Sequence, residues 1–136
     1  MEVRMDTVQF FKQNKEYVLD YLQKRGIKSE KLSHFISEKP FGLLCDAVFM
    51  FKNEEYEITH FLSNSDIVGY DIRKVNEMLN TDETNECVFA VIMGDDVLGY
   101  NIKTEEVFIW YVQTGDGEKT VIADNLDKFL TELNID

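Results

Sequence analysis

The segment spanning residues 87–112 constrains this chain more than any other. Residues 87–93 form an unbroken apolar run, closed by Gly94-Asp95-Asp96. Residues 97–102 follow, then the polar Lys103-Thr104-Glu105, then a β-branched and aromatic run over 107–112. Short apolar runs separated by turn residues are the pattern of an antiparallel meander. After a loop over 113–119, Val121-Ile122 adds a short fourth strand. Asp124 is placed to cap a closing helix. In it Leu126, Phe129, Leu130 and Leu133 recur at helical spacing and share one face.

The chain before this segment supplies the remaining layers. Asp6 is placed to cap a helix running to about Arg25, with Gly26 beyond its end. Val8, Phe11, Val18, Leu19 and Leu22 form one stripe of that helix, interrupted by Lys15. Phe10, Tyr17 and Tyr21 fall nearly opposite, so the helix has two apolar sides and is expected to be buried on both. Ser29 caps a short helix with Leu32, Phe35 and Ile36 inward, ended by Pro40. Residues 43–51 are apolar on both faces apart from Asp46, as in a central strand. Residues 56–62 return with Tyr56, Ile58, His60 and Leu62 on one face. Asp71 caps a helix that buries Ile72, Val75, Met78 and Leu79. The expected fold is α+β: a twisted, mainly antiparallel sheet with N-terminal helices and a C-terminal helix.

At 136 residues and 44% hydrophobic content, the chain makes one domain, 1–136, with a core of its own. Its apolar runs are far shorter than the roughly 20 residues of a membrane helix, and its start lacks a signal pattern. A cytoplasmic protein is expected. Cys45 and Cys87 sit inside apolar runs and read as reduced, buried thiols. The net charge is −12 and unevenly spread. Residues 1–81 hold 13 acidic and 11 basic residues, whereas residues 82–136 hold 13 acidic and 3 basic. Such a field opposes nucleic-acid binding and favours a basic protein partner, although acidity also serves solubility.

No motif of catalysis, cofactor or metal binding is legible. Gly94, Gly99, Gly115 and Gly117 fit neither a dinucleotide fingerprint nor a phosphate loop. No zinc-type cysteine or histidine spacing occurs, and residues 82–86 lack the glycine of a calcium loop. His60 reads as a satisfied core histidine, and Asp95-Asp96 as turn chemistry. Trp110 and Tyr111 point to opposite faces of one strand, with Trp110 expected in the core. An enzyme is therefore not expected.

Three groups of residues carry a family resemblance. They are Gly94-Asp95-Asp96-Val97, the string Lys103-Thr104-Glu105-Glu106-Val107-Phe108-Ile109-Trp110, and Ile122-Ala123-Asp124-Asn125-Leu126 with Phe129-Leu130. In order and spacing they resemble the C-terminal half of SUKH-superfamily (Smi/Knr-type) domains, with Glu105 where that pattern has a glycine. Residues 70–79 resemble the helix before that meander. The resemblance implies an α+β fold without catalytic residues. It also implies a bacterial immunity protein that neutralises a polymorphic or contact-dependent toxin, often a nuclease. The other reading is an intracellular regulatory or scaffolding module of the same fold, like a cell-wall synthesis regulator.

Alternate turns of a meander emerge at one end of the sheet. The turn at 94–96 and the loop at 113–119 are therefore expected together, with Asp95, Asp96, Asp116 and Glu118 as partner-binding residues for a basic toxin domain. Asp82, Glu83, Glu86, Glu105 and Glu106 are expected at the other end.

Overall fold

The computed structural model of the chain describes residues 7–37, 44–65 and 67–135. Asp6, Pro40 and Leu43 lie outside the described residues, as do the side chains of Val8, Phe10, Phe11, Phe35, Leu44, Cys45 and Asp46. Two helices open the chain, α1 (Thr7–Lys24) and α2 (Glu30–Ser37). The hairpin β1 (Leu44–Phe51) and β2 (Glu54–Phe61) leads to α3 (Ile72–Met78). The meander β3 (Glu86–Ile92), β4 (Val97–Asn101), β5 (Val107–Trp110) and β6 (Lys119–Ala123) follows. Helix α4 (Leu126–Thr131) and a two-residue strand β7 (Asn134–Ile135) end the described chain. The fold is α+β, and the seven strands of the described residues form one antiparallel sheet in the order β6-β5-β4-β3-β2-β1-β7.

That order forces the sheet to curl. β6 and β7 are its opposite edges, yet only residues 124–133 join them. In a flat sheet the edges would stand roughly 29 Å apart. A fully straight linker of eleven Cα steps would span it, at about 36 Å. This one contains α4 and then turns at Glu132, whose N–H bonds the Lys128 carbonyl at 3.1 Å. The edges must therefore approach each other, with α4 closing the gap. A second diagonal agrees: Lys119 on the β6 edge reaches Glu86 on β3, three strands away, at 2.6 Å.

The core is one apolar cluster shared by the sheet and helices. Phe89, Leu98 and Ile109 from the meander are fully enclosed, as are Val18 of α1 and Leu32 and Ile36 of α2. Phe129 of α4 meets Phe49 edge-on, with ring centroids 5.3 Å apart. Phe89 and Phe129 are buried as expected, whereas Trp110 and Leu133 are only half-buried at the margin. Tyr17 and Tyr21, on the second apolar side of α1, are spent inside the fold. Tyr17 donates to Asp71 at 2.9 Å and Tyr21 to Asp82 at 2.6 Å. Burial and the neighbouring Asp71 carboxylate push the Tyr17 hydroxyl up to about 12. α1 ends in a Schellman turn, with Gly26 at φ +76 and Ile27 N–H on the Leu22 carbonyl. Arg25 then donates to the carbonyls of Thr81, Thr84 and Glu86, fastening α1 to the start of β3.

Four local expectations are corrected. Helix α3 buries Ile72 and Val75, but Met78 at its last turn is 67% exposed and Leu79 is only half-buried, because the helix packs on the sheet through Ile72, Val75 and Asn76. The cap of α4 is Asn125, which accepts the Lys128 N–H at 2.9 Å; Asp124 stands one residue too early. β5 stops at Trp110 because the chain turns there, Val112 N–H bonding the Trp110 carbonyl at 3.0 Å. In β2 the register against β3 shifts between Ile58 and His60. The bulge breaks the two-residue alternation: Ile58 enters the core, while the neighbours Thr59 and His60 both face a cleft.

Candidate functional site

The end of the sheet that carries the hairpin turns is built around Asp96. Gly94 and Asp95 both have positive φ, +93 and +66, which turns the chain tightly between β3 and β4. Asp96 follows, only 3% exposed. Its carboxylate accepts the N–H of Gln113 at 2.8 Å, the N–H of Thr114 at 3.0 Å and the Thr114 hydroxyl. The turn and the loop are thus tied together. Burial raises the Asp96 pKa, but these three hydrogen bonds outweigh it and hold the carboxyl below the ordinary range. Asp96 builds this surface from beneath and is closed to a partner.

The other three acidic residues of the rim are exposed. Glu118 accepts the Asp116 N–H at 2.7 Å, shaping the loop tip. Trp110 donates its indole N–H to the Gly117 carbonyl at 3.0 Å, backing the same loop. Among the described residues, neither Asp95 nor Asp116 has a cationic partner within 4 Å. Glu54, Glu55 and Glu57 of β2 are exposed at this same end, and Met93 N–H bonds the Glu57 carbonyl. The opposite end differs. There Asp82 is paired with Arg25 at 3.3 Å, and Glu86 takes the side chain of Lys119, which reaches diagonally from the rim end of β6. Lys119 also lies 4.5 Å from the Trp110 ring centre and 5.6 Å from that of Phe108, roofing both rings.

Sequence reasoning missed a cleft of about 760 Å³ beside the rim. It opens between the sheet, α3 and residues 67–70. Val75, Val91, Val97 and Val112 form apolar walls, and Asp95 stands in the lining as its one carboxylate. The bulge supplies the floor. His60 stacks on Tyr70, with ring centroids 3.7 Å apart and planes 10° from parallel. Its Nε2 lies 2.9 Å from the Gly69 carbonyl, which can only accept, so Nε2 carries the proton. Nδ1 faces the Thr59 hydroxyl at 3.1 Å. Burial lowers the His60 pKa, while the Gly69 carbonyl and Asp95 act to raise it; burial prevails. The signal that could have revealed the cleft is Ile67-Val68, an apolar pair in a loop.

Asn76 sets the position of α3 against the sheet. It is fully buried and stands in for a strand where β2 leaves β3. Its amide donates to the Ile72 and Val88 carbonyls at 2.8 and 2.9 Å, and its oxygen accepts the Val88 N–H at 2.8 Å and the Thr81 hydroxyl. Cys87, close by, is a free buried thiol pushed up to about 12 by desolvation. Among the described residues, no group of histidine, cysteine and carboxylate side chains is arranged to hold a metal ion. Among the same residues, no helix is long and apolar enough to cross a membrane.

Fold and site define the class as an α+β domain with an acidic rim adjoining an apolar cleft. No protein-family model, curated protein or solved structure matches the chain.

Proposed function

We propose that this chain is a non-enzymatic, cytoplasmic protein-binding domain of the SUKH type, an immunity protein that neutralises a basic toxin domain. The observation that carries the reading is the pair Asp95 and Asp116. They are exposed, lack a cationic partner among the described residues, and are held on one platform by Asp96. Unpaired carboxylates on a fixed surface attract a basic partner without first breaking ion pairs of their own. Glu118 adds charge to the same loop, and the net charge of −12 strengthens the field.

The test is protection. The chain is co-expressed with the product of the gene immediately upstream of its own in the native host, and growth is followed. The reading predicts that the upstream product alone arrests growth, that the chain restores it, and that the two co-purify. Growth arrest that the chain does not relieve, with no complex formed, contradicts immunity. A stable complex with a non-toxic protein would instead favour the regulatory or scaffolding module.

A further inference from the structure

We infer that the cleft beneath α3 seats an apolar side chain from a segment of a protein partner, with a basic residue of that segment held at Asp95. The inference rests on the protein-binding reading and adds where the partner's anchor enters. The cleft's lining contains a carboxylate and no lysine or arginine. A cation beside an apolar anchor is therefore the complement its chemistry selects. Lys74 and Ile67 lie outside that lining, in an adjoining hollow of about 130 Å³ that shares Val68, Gly69, Val75 and Met78 with the cleft.

The choice of a chain segment over a small molecule comes from what surrounds the mouth. The exposed large hydrophobics among the described residues are Met50, Ile67, Val68, Met78, Met93 and Val121. Three of them gather here: Ile67 is 55% exposed, Val68 94% and Met78 67%. A small molecule filling the cleft would leave these three in water. A segment laid across the mouth would cover them while its anchor fills the cleft. Asp95 belongs to both the cleft and the acidic rim, so one partner can reach both.

Amide NMR spectra of the isotope-labelled chain test this with defined probes. These are a short amphipathic peptide of leucine and lysine, its leucine–glutamate and serine–lysine counterparts, and n-octylammonium. The leucine–lysine peptide is expected to move the amides of Gly69, Val91, Asp95 and Gln113. Met78→Asn, at an exposed position, is expected to weaken that binding on the order of tenfold while leaving the spectrum dispersed. The serine–lysine peptide is expected to move only the amides around Asp116 and Glu118. The inference is overturned if the cleft amides stay still with the leucine–lysine peptide, or respond equally to the glutamate peptide. It is also overturned if they respond to octylammonium but not to peptide, or shift on dilution of the chain alone, which would make a second copy the occupant. Rim amides that move while the cleft stays silent would sink the cleft and leave the protein-binding reading standing. Silence at both would count against each.

Discussion

Single residues hold unusual states here for identifiable reasons. Glu105 has φ +69, with its N–H bonded to the Asn101 carbonyl at 2.8 Å. A side chain in that left-handed region costs on the order of 1 kcal/mol, which glycine avoids. Glu105→Gly is expected to raise stability by about 0.5–1 kcal/mol in urea titration. A decrease would show that the glutamate side chain contributes more than its backbone strain costs. His60 gives a pH dependence. Its folded-state pKa is depressed by burial, so as pH falls below about 6.5 the unfolded chain binds the proton first. Its contribution to stability is full above that pH and is lost as pH falls towards the folded value. His60→Gln is expected to flatten this part of the stability curve. A parent whose stability stays level from neutral pH down to about pH 5 would contradict it.

Between elements, the β4–β5 pair depends on one close approach. A Cβ on Gly99 would lie 2.3 Å from Cζ of Phe108, whose ring occupies the space above that glycine. Gly99→Ala is expected to cost roughly 1–3 kcal/mol by overpacking. In a Phe108→Ala background the same change is expected to cost less than about 0.5 kcal/mol, because the clash is gone. Equal costs in the two backgrounds, read by denaturant titration, would show that the ring is not what excludes a side chain at Gly99. Legibility at this scale follows locality. β3, β4 and the Gly94-Asp95-Asp96 turn could be read because apolar runs and turn residues act over a few neighbours. The N-cap Asp71 was legible for the same reason, accepting the N–H groups of Arg73 and Lys74. β7 was not, because its two residues pair with β1 only after α4 has crossed between the sheet edges. The bulge at Thr59 was not, because a strict alternation cannot register an inserted residue. Asp96 was placed in the turn, but its burial depends on two amides 17 and 18 residues further on.

Over the whole molecule, charge and curl combine. Curling brings the hairpin turns of one end into a rim, and Asp96 fixes the loop that completes it. The excess of acidic residues after position 81 was legible from composition. Which carboxylates stay unpaired was not, since that depends on Arg25 and Lys119 reaching Asp82 and Glu86 across the fold. The central claim is that Asp95, Asp116 and Glu118 steer a basic partner to this end. The direct measurement is the association rate of that partner with the parent chain and with the triple variant Asp95→Asn, Asp116→Asn, Glu118→Gln, across a salt series. Asp96 is left intact so that the rim keeps its shape. The account predicts slower association of the variant, on the order of tenfold at low salt, with the two rates converging as salt screens the field. Rates that coincide at every salt concentration would contradict it.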